Sequence, residues 1–142
     1  MKFKIYNNGK LLINEMSSLN DRKIHFIFHG LFGRAKNWHS IALKLSLIVE
    51  GFFIVFDLRN HGENEPSTEI SYSIMAKDIY EFIQSKNISK ISIIGHSMGG
   101  KLGMLFSLLY PTFVKQLFVI DIAPVDYPRE ETEIVDYLLK ID

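Results

Sequence analysis

The chain of 142 residues is 47% hydrophobic and 23% charged, which is the composition of a folded globular domain rather than of a disordered chain. Lysine and arginine together number 16, as do aspartate and glutamate, so the formal net charge is zero. A protein that binds nucleic acid or a membrane surface through charge usually has a basic excess, so we expect neither partner. The sequence contains no cysteine, which excludes disulfides, thiolate metal sites and a cysteine nucleophile.

Neither a signal peptide nor a membrane span is expected from the sequence. The charged start, Met1 to Lys4, is not followed by an apolar segment. The longest apolar stretch, at 48–56, is interrupted by Glu50 and Gly51 and is too short to cross a bilayer. Together with the lack of cysteine, which suits a reducing compartment, these features predict a cytoplasmic protein.

Short apolar runs alternate with segments of helical periodicity along the chain. The turn dipeptide Asn8-Gly9 predicts a hairpin between strands at 3–6 and 11–13. The elements predicted after the hairpin are a strand at 24–28, a helix at 38–49, a strand at 52–56, a helix at 73–85, a strand at 91–94, a helix at 101–109 that Pro111 stops, a strand at 117–120 and a helix at 130–139.

This repeated strand–helix–strand order predicts an α/β fold, a mostly parallel sheet flanked by helices on both faces. The runs at 52–56 and 117–120 are apolar at every position, as expected of strands that are covered on both faces. In such sheets, functional residues lie in the loops at the carboxyl ends of the strands. The loops concerned begin at His29, Asp57, Gly95 and Asp121.

The segment Gly95-His96-Ser97-Met98-Gly99 matches the pattern G-x-S-x-G between a predicted strand and a predicted helix. This context is typical of a nucleophile elbow, in which a sharp turn projects the serine hydroxyl above the sheet. Glycine suits the two flanking positions because a side chain there would collide with neighbouring backbone. We therefore predict that Ser97 is a nucleophile, with a structural turn serine as the alternative.

A second loop, His29-Gly30-Leu31-Phe32-Gly33, follows the predicted strand at 24–28. Attack on an ester builds negative charge on the carbonyl oxygen, and two backbone N–H groups usually stabilise that charge. One comes from the residue after the nucleophile and one from an earlier loop of this kind, so we predict Met98 and Leu31 as the oxyanion hole. Alone, the segment would read equally well as an ordinary glycine-flanked loop.

Two aspartates end predicted strands and are candidates for the acid that orients a catalytic histidine. Asp121 follows the strand at 117–120, where a role in a turn or a helix cap is the alternative. Asp57 is followed closely by Arg59, which favours a structural ion pair or a turn role for Asp57.

None of the five histidines follows Ser97, although the order in α/β-hydrolases is serine, then acid, then histidine. His29 and His61 lie in loops at the correct end of the sheet, whereas the predicted positions of His25, His39 and His96 suit a base poorly. We therefore predict that the catalytic histidine is not present in this chain.

Several segments of the sequence resemble the YbfF-like esterases of the α/β-hydrolase superfamily. They are His29-Gly30-Leu31-Phe32-Gly33 with Asn37-Trp38, Asp57-Leu58-Arg59-Asn60-His61-Gly62, Met75-Ala76 with Asp78, Gly95-His96-Ser97-Met98-Gly99-Gly100-Lys101, and Asp121-Ile122-Ala123-Pro124-Val125-Asp126-Tyr127. The resemblance implies a serine esterase or thioesterase that cleaves small acyl esters through an acyl-enzyme on Ser97. It implies no metal and no organic cofactor, and it implies Asp121 as the acid.

Members of that family continue through a helical cap, two more strands and a catalytic histidine. The resemblance thus implies that residues 1–128 are the N-terminal part of an α/β-hydrolase core, that 129–142 begin the cap, and that the chain alone is incomplete or inactive. Glu63-Asn64-Glu65 also departs from the small, serine-containing stretch usual in the family. The alternatives are a non-catalytic remnant and one half of a split enzyme. Either would bind a complementing C-terminal chain, or a second copy, through the sheet edge at 117–120.

Overall fold

A computed structural model of the chain describes residues 1–12 and 19–125. Its strands are β1 (Phe3–Asn7), β2 (Lys10–Leu12), β3 (Ile24–Phe28), β4 (Phe52–Phe56), β5 (Ile91–His96) and β6 (Val114–Ile120). Its α-helices are α1 (His39–Ile48), α2 (Tyr72–Ser85) and α3 (Met98–Leu109), and short 3-10 helices cover Ala35–Trp38 and Pro111–Phe113. The predicted helix at 130–139 and the predicted start of a cap at 129–142 lie outside the described residues.

The strands form one sheet in the order β2-β1-β4-β3-β5-β6. β1 is antiparallel to both β2 and β4, whereas the β4-β3-β5-β6 part is parallel throughout. The predicted mostly parallel sheet is confirmed. Because β3 lies between β4 and β5 and all three are parallel, the loops that follow them lie side by side at the carboxyl ends of the strands.

Alternate residues of the central strands pack against different helices. In β3, Phe26 and Phe28 belong to the larger core cluster, which also contains Phe82 of α2 and Phe106 of α3. Ile27 belongs to a smaller cluster on the other face, which includes Ala42 of α1. Helices therefore cover both faces of the central strands, and the strand ends that carry the site are held by buried side chains.

The predicted boundaries of two helices differ from those in the structure at the residue where the helix begins. Helix α3 begins at Met98 rather than at 101, because it starts directly after the turn at Ser97. Helix α2 begins at Tyr72, where the Ser71 hydroxyl accepts a hydrogen bond from the Ile74 N–H at 3.2 Å. Both starts follow from capping and turn geometry rather than from apolar periodicity.

Strand β6 is the outer strand of the described sheet next to β5, its one strand neighbour there. Phe118 is 51% exposed and Ile120 is 43% exposed, so this strand is not covered on both faces as its apolar sequence predicted. Its one lysine, Lys115, lies near its start. An edge strand with exposed apolar side chains is a template for pairing with another chain.

We predict that the purified 142-residue chain self-associates through β6, and that Phe118→Lys shifts it toward the monomer mass of 16.4 kDa. Light scattering at high micromolar concentration measures the mass. As a matched control, Leu47→Lys replaces a 69% exposed apolar residue of α1 and should leave the association unchanged. A wild-type chain that stays monomeric at that concentration would contradict this prediction.

Candidate active site

Ser97 occupies the sharp junction between β5 and α3. Its backbone has φ 50° and ψ −118°, a combination that costs an L-residue conformational energy. The Ser97 N–H donates to the Ile120 carbonyl at 2.9 Å, and the Ser97 carbonyl accepts from the N–H of Gly100 at 2.8 Å. Hydrogen bonds on both sides thus hold the strained turn, which lies between a strand and a helix as in a nucleophile elbow.

The glycine of the elbow at position 99 allows α3 to start directly against the end of β3. A Cβ atom added at Gly99 would lie 2.4 Å from the Phe28 carbonyl oxygen, far inside contact distance. No other residue could occupy this position without moving the helix away from the strand. The close approach brings the first turn of α3 to the loop that follows β3.

That loop lies against the serine. A Cβ atom added at Gly30 would lie 3.3 Å from the Ser97 Cβ, so the chain at 29–31 passes directly beside the elbow. Leu31 is partly exposed next to this contact, and Met98 is buried as the first residue of α3. The structure brings both predicted oxyanion residues to the elbow, and their role in binding an oxyanion stays a prediction.

His29 is 1% exposed and both of its ring nitrogens are engaged. The Leu58 N–H donates to Nε2 at 3.1 Å, so Nε2 carries the lone pair. The proton is therefore on Nδ1, which lies 2.7 Å from the Gly30 carbonyl oxygen and donates to it. Burial lowers the pKa of His29 and favours this neutral form. His29 consequently has no free nitrogen with which to act as a base for Ser97.

Asp57 is buried and its carboxylate receives backbone N–H groups from two loops. Oδ1 accepts from Ala35 at 2.6 Å, and Oδ2 accepts from Glu63 at 3.2 Å. The interpretation of Asp57 as a structural residue agrees with these contacts. Its partner, however, is backbone and not Arg59.

Arg59 forms a two-pronged ion pair with Asp78 of α2. Nε lies 2.9 Å from Oδ2, and Nη2 lies 2.7 Å from Oδ1. The hydrogen bonds and the charge of Asp78 raise the pKa of Arg59. This fork, which the sequence analysis missed, attaches the loop after β4 to α2.

The remaining histidines divide by position. His61 Nδ1 lies 2.8 Å from the Arg59 carbonyl oxygen, and its ring centroid is 5.0 Å from that of His29. His25 lies near the start of β3, at the opposite end of the sheet, where its ring stacks on Phe53 at 4.5 Å. His39 Nδ1 lies 3.1 Å from the Tyr6 hydroxyl oxygen. His61 lies in the loop after β4, at the end of the sheet that carries Ser97.

Asp121 directly follows Ile120, whose carbonyl accepts the Ser97 N–H. Its side chain is 84% exposed, and Oδ2 lies 3.8 Å from Nε2 of His96, which is beyond hydrogen-bonding distance. The carboxylate is therefore beside the elbow and accessible from solvent. The approach of His96 to Asp121 was not foreseen from the sequence, because it depends on the pairing of β5 with β6.

An open cleft of about 640 Å³ begins at Leu31 and lies between the loops at 31–34 and 60–62.

Within residues 1–12 and 19–125, no group of three histidine, aspartate or glutamate side chains is arranged to hold a metal ion. In the same residues, no helix combines the length and apolar character needed to cross a membrane.

Known proteins that are similar to this chain in sequence or structure have names that refer to ester chemistry. The chain is 41% identical to the sn-1-specific diacylglycerol lipase ABHD11 of Danio rerio over 96 residues, which are 68% of this chain and 30% of that one. It is 34% identical to ethanol acetyltransferase 1 of Hanseniaspora uvarum over 138 residues, 97% of this chain and 40% of the relative. A marine microorganism esterase superposes with a TM-score of 0.80 at 36% identity, over 99% of this chain and 51% of the esterase.

The chain thus spans about half the length, or less, of these proteins. A family model described as the alpha/beta hydrolase fold matches residues 26–142, which include both the elbow and the loop after β3. The predicted fold class is confirmed, and this chain belongs to the alpha/beta hydrolase fold family.

Proposed function

We propose that this chain carries the nucleophile of a serine ester hydrolase that cleaves small acyl esters or thioesters. The observation that carries the proposal is the backbone of Ser97 at φ 50°, held between Ile120 and the first turn of α3. A serine held in a strained conformation between a strand and a helix supports a functional use of its projection above the sheet. The names of the relatives, a lipase, an esterase and an acetyltransferase, support acyl transfer as the chemistry.

In the proposed reaction, Ser97 Oγ attacks the acyl carbonyl carbon while its proton passes to a base. The tetrahedral intermediate carries its negative charge on the former carbonyl oxygen, which the N–H groups of Leu31 and Met98 would receive. The intermediate then expels the alcohol or thiol, which takes the proton, and leaves an acyl-enzyme on Ser97. Water repeats the sequence and releases the carboxylic acid.

We place the base, a histidine, in sequence outside these 142 residues. Among the five histidines, His29 has both nitrogens engaged, His25 is bound elsewhere, and His39 contacts the Tyr6 hydroxyl. His61 contacts the Arg59 carbonyl and His96 approaches Asp121, and the activity of the chain alone tests these two as bases. The histidine would come from a following segment or from a separate polypeptide, and Asp121 would orient it. The exposed Asp121 carboxylate, adjacent to the residue that binds the Ser97 N–H, supports that role.

The first prediction from this proposal concerns activity. The 142-residue chain should hydrolyse a short activated ester only slowly, at a rate close to that of Ser97→Ala, because a serine without its base loses most of the benefit of the triad. A chimera completed with the C-terminal half of a related esterase should gain Ser97-dependent turnover of about 10³-fold or more.

Steady-state turnover of both forms measures this effect, with Ser107→Ala as a control, since the Ser107 hydroxyl donates to the Gly103 carbonyl in α3 at 2.7 Å. Robust Ser97-dependent turnover by the 142-residue chain alone would identify one of its own histidines as the base. A folded chimera without Ser97-dependent turnover would favour the non-catalytic remnant.

The second prediction concerns Asp121. In the chimera, Asp121→Asn should lower kcat by about 10³-fold, because the amide neither stabilises the imidazolium nor fixes the tautomer. Folding should be preserved, since asparagine adopts the positive φ of this residue, 57°, as readily as aspartate does.

The matched control is Asp21→Asn, an exposed aspartate at φ 58° that precedes β3, at the opposite end of the sheet. It should change neither kcat nor the melting temperature. If Asp121→Asn keeps most of the activity at an unchanged melting temperature, the acid lies elsewhere.

A further inference from the structure

The peptide group between Gly30 and Leu31 is held by its carbonyl oxygen. This oxygen accepts two hydrogen bonds, from Nδ1 of His29 at 2.7 Å and from the Gly33 N–H at 3.0 Å. In a trans peptide the C=O and the N–H point in opposite directions within one plane. Whatever fixes the Gly30 carbonyl therefore also fixes the direction of the Leu31 N–H.

The donor on His29 is itself fixed by a neighbouring loop. The Leu58 N–H occupies Nε2, which leaves the proton on Nδ1 and sets the plane of the ring. Leu58 follows Asp57, whose buried carboxylate binds Ala35 and Glu63. Because His29, Gly30 and Leu58 are buried, the imidazole cannot turn away from Gly30 without leaving polar atoms unsatisfied.

The second donor to the Gly30 oxygen is the Gly33 N–H, and it requires that the chain at Gly33 pass close to Gly30 and His29. A Cβ atom added at Gly33 would lie 2.8 Å from the Gly30 oxygen and 3.0 Å from Nδ1 of His29. A residue without a side chain is therefore needed for the turn to close over the imidazole. Two donors on one carbonyl also polarise the peptide group, which strengthens its N–H as a donor on the other side.

From these contacts we infer that His29 is a positioning residue, which aims and polarises the Leu31 N–H by binding the Gly30 carbonyl. The catalytic consequence rests on the proposed function, in which Leu31 supplies part of the oxyanion hole. The structural part, a fixed Gly30-Leu31 peptide, does not depend on that function.

Two substitutions separate this role from a simple bridge between loops. His29→Asn places an amide nitrogen at the same distance along the side chain as Nδ1, so it keeps a donor for Gly30 and loses the acceptor for Leu58. His29→Gln reaches the position of Nε2, so it keeps an acceptor for Leu58 and loses the donor for Gly30. Each variant breaks one of the two hydrogen bonds of His29. If His29 only linked the two loops, both variants would therefore have the same effect.

The structural readout is NMR of the 142-residue chain. The imidazole nitrogen resonances of wild-type His29 should report a neutral ring protonated on Nδ1. The Gly30 carbonyl carbon and the Leu31 amide nitrogen should move from their wild-type positions in His29→Gln and stay near them in His29→Asn. A ring protonated on Nε2 alone, or equal shifts in both variants, would overturn the inference. The wild-type measurement decides the tautomer even if a variant does not fold.

The kinetic readout uses the chimera. His29→Gln should lower kcat about tenfold or more with little change in KM, because the misaligned donor acts mainly in the transition state, while His29→Asn should stay within about threefold of wild type. Equal kcat losses in both variants, following their melting temperatures, would reduce His29 to a structural bridge. If Ser97-dependent turnover is absent while the NMR result is as expected, the proposed function fails and the peptide-fixing role stands.

Discussion

The close approach of α3 to the end of β3 is the constraint on which the rest of the site depends. A Cβ atom added at Gly99 would lie only 2.4 Å from the Phe28 carbonyl oxygen. For α3 to begin this close to β3, the chain must turn sharply at the residue before the helix. Ser97 makes that turn at positive φ, and its conformational cost is offset by hydrogen bonds to the Ile120 carbonyl and from α3. The same contact brings the loop after β3 against the serine.

Two buried polar side chains stabilise the loops around this turn. His29 binds the backbone on both sides of its ring, and Asp57 binds the N–H groups of Ala35 and Glu63. Among the described residues, no buried side-chain nitrogen or oxygen lacks a hydrogen-bond partner. The buried polar atoms of His29 and Asp57 are thus satisfied by backbone groups from neighbouring segments.

Ser97 and Asp121 directly follow two neighbouring strands, β5 and β6, and β6 is the outer strand of the described sheet. Pairing of β5 with β6 places Asp121 next to the elbow and leaves its carboxylate exposed. The exposed apolar residues of β6 make the same edge a surface for another strand. In the proposed function, a histidine arriving from beyond β6 would meet Asp121 and Ser97 together.

Apolar runs and glycine spacing in the sequence predict the mostly parallel sheet, the sharp turn at Ser97 and the loop at 29–33, because these patterns reflect constraints between residues that are close together in the chain. The partners of the polar side chains, in contrast, are visible only in the folded chain. Arg59 binds Asp78, 19 residues away, rather than Asp57, and His29 is held by Leu58, 29 residues away. Such pairs depend on how loops from different strands are arranged at the carboxyl end of the sheet. Local sequence patterns do not predict contacts between residues that are so far apart in the chain.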